Sequence, residues 1–313
     1  MRTVQSLSLH ASAAVLFLAS LSGCTTFSAK SDTGTSDFSS LYDGKSKAAF
    51  ATLLPVSSPQ EALQRGDLAV ADGDLDRALF EYIRALELDD ANATALYKIG
   101  TIHAVRGNPR LAEIAFRLSL TEDADNVGAL TGLGVLLLEK RNYPEARGLL
   151  ERAITINDGI VRAHNALGVM SDLEGDYQAA QHHYQRALEA SPATPALLNN
   201  LGYSRYMSGD WSKATAAFRE ALLIDPNYDR AWRNLALVYT RQERYEDAID
   251  ALTKIEDLPQ AYNDVGYIAM VAGKLGKANE LFAEAKRLSP NFYAMADTNL
   301  RRVELLQGHT AAP

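Results

Sequence analysis

Gly66, Gly100, Gly134, Gly168 and Gly202 stand 34 residues apart, and Ala236 holds the next place. Ala78, Ala112, Ala146, Ala180, Ala214 and Ala248 keep the same interval. Glycine is only 20 of the 313 residues, so two series in one register are not a product of composition. A fixed period of this length means a stack of small supersecondary units, none of which can bury a core alone. The large side chains follow the same period. Leu96, Leu130, His164, Leu198, Trp232 and Tyr262 share one place, and Tyr82, Phe116, Leu150, Tyr184, Phe218, Leu252 and Phe282 share another. Pro192, Pro226 and Pro290 close their units. Seven units result: 59–92, 93–126, 127–160, 161–194, 195–228, 229–258 and 259–292. The sixth is short by about one helical turn. That predicts a shortened second helix before Pro259 and a change of superhelical pitch near residues 255–260.

The letters within a unit describe two helices and a turn. Gly at the eighth place and Ala at the twentieth suit a crossing of two helices, where a larger side chain would hold them apart. Ala85, Ala153, Ala187, Ala221 and Ala285 are small for the same reason, against the next unit. Between the helices stand Gly73-Asp74, Gly107-Asn108, Gly175-Asp176 and Gly209-Asp210. Each joins a residue that can end a helix to one that can cap the next. Pro109 suits a first helical turn. This set of letters resembles the tetratricopeptide repeat, and the resemblance covers residues 59–292. It implies an all-α fold, a right-handed α-solenoid of helix-turn-helix units. Residues 293–307 read as a C-terminal capping helix, with Leu300, Val303 and Leu306 on one side and Arg301, Arg302 and Glu304 on the other. Residues 308–313 read as a disordered tail.

The N-terminal segment has a different composition. Arg2 is followed by an apolar run from Ala11 to Ala19, which ends in Leu21-Ser22-Gly23-Cys24. A cation, a short apolar stretch and small residues are the parts of an export signal. The run is about half the ~20 residues a membrane span needs. Leu-Ser-Gly-Cys resembles the bacterial lipobox. By that resemblance residues 1–23 are a lipoprotein signal peptide and Cys24, the chain's one cysteine, receives a diacylglyceryl group and becomes an acylated amino terminus. A thiolate is the nucleophile such chemistry needs, and two or more acyl chains make a stable anchor. Thr25, in place of the Asp often found in lipoproteins kept at the inner membrane, implies the periplasmic face of the outer membrane. Residues 24–58 are rich in Ser, Thr, Gly, Asp and Lys and read as a flexible tether with a reach of roughly 30 Å. A short helix near residues 48–54 is weakly signalled.

Composition and motifs narrow the function. Hydrophobic residues at 47% and charged residues at 22% exclude wholesale disorder and a polytopic membrane protein. A net charge of −8 without a basic run argues against nucleic acid. One cysteine excludes a cysteine-built zinc or iron–sulfur site. Gly132-Leu133-Gly134 contains the repeat glycine and follows no strand pattern, and no phosphate-loop motif is present. His182 and His183 are adjacent and do not share a helical face as a metal pair would. His164 replaces a repeat Leu or Trp and reads as a packing residue. The sequence therefore carries no catalytic or metal-ligating set, no cofactor motif and no small-molecule site.

The remaining candidate is the concave wall. In the tetratricopeptide family its side chains come from places 2, 5, 9, 12 and 13 of each unit. Carried onto this chain, those places give a groove of Asn165, Asn199, Tyr203, Tyr206, Met207, Arg230, Arg233, Asn263, Tyr267 and Met270. Asn pairs with a peptide backbone as donor and acceptor, and Tyr, Met and Arg give adaptable contact surface. A protein segment is the expected ligand. The lysines of the family's carboxylate clamp are not supplied. Leu201-Gly202-Tyr203, Val265-Gly266-Tyr267 and Leu288-Ser289-Pro290-Asn291-Phe292-Tyr293 resemble the TPR lipoproteins of the tight-adherence (Flp pilus) apparatus, the TadD family. That resemblance implies a non-enzymatic assembly factor, whose partner is a pilus or secretion component such as the secretin. Two alternatives stay open: a pilotin of another type IV pilus or secretion system, and an adaptor of a periplasmic peptidoglycan hydrolase or protease.

Overall fold

The computed structural model describes residues 38–43, 55–289 and 294–310. By its internal contacts the chain divides at residue 35, and the described residues all belong to the unit that begins at Ser36. They form a 3₁₀ turn at Phe38–Leu41 and fifteen α-helices, with no strand among the described residues. The first unit holds α1 (Pro59–Ala71) and α2 (Leu75–Leu88), the second α3 (Ala93–Val105) and α4 (Pro109–Glu122), the third α5 (Val127–Glu139) and α6 (Tyr143–Ile156). The fourth holds α7 (Val161–Glu174) and α8 (Tyr177–Ala190), the fifth α9 (Pro195–Met207) and α10 (Trp211–Ile224), the sixth α11 (Asp229–Arg241) and α12 (Tyr245–Leu252). The seventh holds α13 (Leu258–Val271) and α14 (Leu275–Leu288), and α15 (Ala294–Thr310) follows. Each helix packs chiefly on its neighbours in sequence, and first helices also touch across successive units. This is an all-α solenoid of stacked hairpins.

The inter-helix turns show why the period is kept. The fifteenth place of every unit is left-handed, with φ of 73–85° at Gly73, Gly107, Gly175, Gly209 and Gly273. Arg141 and Glu243 occupy that place in the third and sixth units at φ 61°, a conformation that crowds Cβ against the backbone. The following residue caps the second helix. Asp74, Asp176 and Asp210 each accept a backbone N–H three residues on, at 3.0, 3.0 and 3.1 Å. Asn108 makes no such bond.

Five of the six eighth-place glycines make room for a ring, and Gly134 makes room for Leu150. A Cβ on Gly168 would lie 2.5 Å from Tyr184 Cε1, and one on Gly202 would lie 2.6 Å from Phe218 Cε1. Gly66, Gly100 and Gly266 stand in the same relation to Tyr82, Phe116 and Phe282. The close approach is thus to the aromatic residue at the twenty-fourth place, more than to the alanine at the twentieth. The alanines of both series, and Ala85, Ala153, Ala187, Ala221 and Ala285, are buried.

The second helix of the sixth unit is shortened as expected, and two other readings of the sequence change. In the sixth unit α12 has 8 residues against 14 in α10 and α14. The chain returns through residues 253–257, which bring Ile255 onto the core and carry Glu256 inward, its side chain 3% exposed. Within the expected tether, residues 38–43 are docked on the first two units, with Leu41 buried among Leu79, Ile83, Ile99 and Ile102. Polar composition misled here because one leucine and one aspartate do the docking. At the C-terminus α15 continues to Thr310, into the segment expected to be disordered. Its buried residues are Ala296, Asn299 and Val303, with Leu300 packed alongside, whereas Leu306 is exposed. The segment 48–54 and the terminal residues 311–313 lie outside the described residues.

Candidate functional site

The inner wall is built from the first helices, and its polar side chains are linked from unit to unit. Asn165 on α7 accepts a hydrogen bond from Asn200 Nδ2 on α9, at 3.0 Å. Asn199 on α9 accepts one from Asn234 on α11, at 2.8 Å. Asn263 on α13 accepts one from Asn299 on α15, at 3.0 Å. The missing step, from α11 to α13, is an ion pair of Arg233 with Asp264 at 3.7 Å. The first three steps join the fifth place of one unit to the sixth place of the next, and the last reaches Asn299 of α15, one residue further on. The rungs use an amide's self-complementarity, a donor and an acceptor on one short side chain. They are absent from the first three units, where the fifth place is Leu63, Tyr97 and Thr131.

Beside this ladder lies a hollow of about 820 Å³ across the fourth to sixth units. Val169, Leu173, Tyr203 and Met207 give it apolar walls, and Asn199, Asn200, Asn234, Arg230 and Arg233 give it polar groups. Tyr203 and Met207 are 41% and 42% exposed. Asp172 stands at one side, accepting a hydrogen bond from Tyr184 Oη at 2.8 Å, while its other oxygen is buried without a partner. Burial holds the Asp172 carboxyl above the usual carboxylate range, against the opposing effect of its hydroxyl hydrogen bonds. On the other side Arg233 is bonded to Glu256 at 3.1 Å. Burial and the neighbouring Asp264 charge push the Glu256 carboxyl up, and Arg233 opposes them. A second hollow of about 360 Å³ lies along the second to fourth units and includes Thr101, Val135 and Arg162.

Five of the ten groove residues named from the sequence therefore meet in one place: Asn199, Tyr203, Met207, Arg230 and Arg233. Asn165 is spent on its rung. Tyr206 packs toward the core, with its ring 6.2 Å from Tyr203 and its hydroxyl accepting from Arg241 Nε at 3.1 Å. Asn263 and Met270 are buried, and Tyr267 is exposed outside the hollow. Asp172, Tyr177 and Tyr184 join the lining. Tyr177 and Tyr184 come from second helices, which the family's groove places do not include. Cys24 lies outside the described residues.

The histidines pair differently from their order in the chain. His183 Nδ1 meets buried His164 Nδ1 at 3.1 Å, and His164 Nε2 donates to Asp158. No cluster of three or more metal-ligating side chains occurs among the described residues. No described helix is long and apolar enough to cross a membrane.

Tetratricopeptide-repeat models match residues 63–127 and 174–229, residues 205–263, and residues 127–157, together more than half of the chain. The chain belongs to the tetratricopeptide-repeat family. Among solved structures it is similar to a tetratricopeptide repeat protein of Parabacteroides merdae, at 18% identity and a TM-score of 0.53, over 79% of this chain and 98% of that one. It is similar to the Pseudomonas aeruginosa pilF structure at 18% identity and a TM-score of 0.51, over 79% and 97%. These likenesses are of fold. Among curated proteins it is 35% identical over 92 residues to cellulose synthase operon protein C of Xanthomonas axonopodis pv. citri, an alignment covering 29% of this chain and 6% of that protein. Stacked tetratricopeptide repeats are protein-interaction scaffolds that present a long concave surface, typically without enzymatic activity.

Proposed function

We propose that the concave wall of the fourth to sixth units holds an extended or helical segment of a partner protein. The observation that carries this reading is the hollow itself. It joins exposed Tyr203 and Met207 to two arginines and two amide rungs, a mixture suited to apolar anchors with a few orienting polar contacts. The finer reading is a lipid-anchored assembly factor at the periplasmic face of the outer membrane. Its partner is a component of a tight-adherence pilus, such as the secretin. That reading is supported by the Leu21–Cys24 sequence and by the TadD-like letters around Gly202 and Gly266.

Cross-linking in intact envelopes tests the groove. Wild type is expected to capture a partner that Tyr203→Ala/Arg230→Ala does not, and the same capture by both would refute the assignment. Membrane fractionation of Cys24→Ala tests the anchor separately. Release of the variant into the soluble periplasm is expected, and normal pilus and secretin assembly by that variant would rule out a pilotin-like role.

A further inference from the structure

The sequence gives residues 38–43 no role beyond tether, yet they are seated in a shaped site. Leu41 is 2% exposed among Leu79, Ile83, Ile99 and Ile102, with Phe38 and Tyr42 packed beside it. His103 Nε2 donates to the Leu41 carbonyl oxygen at 2.9 Å. The imidazole is fully buried, and its Nδ1 has no hydrogen-bond partner and faces the Asp43 carboxylate 3.6 Å away. Arg106 Nη1 donates to Asp43 at 2.8 Å, and its other nitrogen donates to Asp76 of α2. Asn108 donates to Asp43, and it makes no helix cap of the kind Asp provides at the same place in the first, fourth and fifth units.

These groups read a sequence. A pocket takes a leucine, an oriented N–H takes that leucine's carbonyl, and a guanidinium with an amide takes an acid two residues further on. Charge-assisted bonds of this kind fix register as well as adding energy. The hold is nonetheless slight for its length. One fully buried leucine, two partly buried rings, one carbonyl hydrogen bond and one carboxylate cluster oppose the ordering of a six-residue segment, terms of the same order. None of His103, Arg106, Asn108 and Asp76 lines the hollows of the inner wall.

We propose that the α2–α3 flank of the first two units is a second docking site, distinct from the concave wall, for a short peptide carrying leucine followed two residues later by an acid, and that residues 38–43 are its resident occupant. A partner segment of that chemistry displaces the chain's own and releases the strap.

The test uses the full chain and a fluorescent synthetic peptide of residues 36–45. Leu41→Ser/Asp43→Asn empties the site while leaving its walls intact, and this variant is expected to bind the peptide at least tenfold more tightly than wild type. Adding Arg106→Ala to that variant is expected to remove most of the gain. Equal binding to wild type and the strap variant, or binding indifferent to Arg106→Ala, overturns the proposal. Hydrogen exchange on wild type gives a second measurement that needs no folding of a variant. Excess unlabelled peptide is expected to speed exchange at residues 38–43 and leave α5 to α14 unchanged. Unaltered exchange at the strap under saturating peptide also overturns it.

Discussion

Gly168→Ala and Gly148→Ala are the same chemical change on two helices, and the structure assigns them opposite signs. In a helix interior alanine is favoured over glycine by about 1 kcal/mol. At Gly148 in α6 an added Cβ meets nothing within 4 Å, so that gain appears as stability, about 0.5–1 kcal/mol. At Gly168 in α7 the Cβ lies 2.5 Å from Tyr184 Cε1 and 2.8 Å from Cδ1 and Cζ, about 1 Å inside ordinary carbon contact. The Tyr184 ring is fully buried and tied through its hydroxyl to Asp172 at 2.8 Å, so it cannot swing clear. Overpacking of this kind costs about 1–3 kcal/mol, and loosening the tyrosine hydrogen bond adds about 1 kcal/mol. Less the helix gain, Gly168→Ala loses about 1–3 kcal/mol, and the two variants differ by about 2–4 kcal/mol. Urea unfolding reads the difference, and hydrogen exchange places it in the fourth unit, which matters because repeat stacks open locally. Because Tyr184 and Asp172 line the hollow, the capture proposed there is expected to fall as well. A Gly168→Ala variant as stable as Gly148→Ala would refute the reading of the eighth-place glycine.

Arg141→Gly and Glu243→Gly relieve a left-handed residue and are each expected to raise stability by about 0.5–1 kcal/mol, read as an increase in melting temperature. Loss of the exposed Lys274–Glu243 pair subtracts little from this. Burial, then the neighbouring His164, His182 and Arg147, hold the His183 imidazole down at about 4 from 6.5. The unfolded chain then takes up this proton below about pH 6.5 while the folded chain resists it until about 4. Stability is therefore expected to fall across that window by up to about 3 kcal/mol, and His183→Leu flattens the slope in pH-dependent melting. The Asn199–Asn234 rung predicts a coupling of about 0.5–1.5 kcal/mol in a double-mutant cycle of Asn199→Ala and Asn234→Ala. Additive losses would show that the two amides act separately.

The repeat was legible because packing constrains it at every unit. Tyr184 demands Gly168, the turn demands Gly175, and both demands recur 34 residues later at Phe218, Gly202 and Gly209. The shortened helix of the sixth unit was readable for the same reason, as a missing turn between Ala248 and Ala278. What escaped were contacts made between units by residues that look solvated when read singly. Asn165 and Asn200 stand 35 residues apart, as do Asn199 and Asn234, so a spacing signal existed. It lies one residue off the repeat: Asn165 and Asn199 fall at groove places suited to a peptide, while Asn200 and Asn234 fall at none. The strap left less trace, since Leu41 and Asp43 carry no period. His164 was read as a packing residue, and it is buried. Its partner His183 is on the second helix, which no rule about adjacent histidines reaches.

The two arginines of the hollow are not equivalent. Arg233 already faces Glu256 and Asp264, whereas Arg230 has no ion-pair partner among the described residues. An anionic group entering the cleft meets Arg230 at full strength and Arg233 only in competition with two resident carboxylates. The desolvated Asp172 at the opposite rim repels the same anion if ionised, and attracts a cation or an N–H donor. A guest chain laid along this wall thus has a preferred polarity, its acidic end toward α11 and its donor-bearing end toward α7.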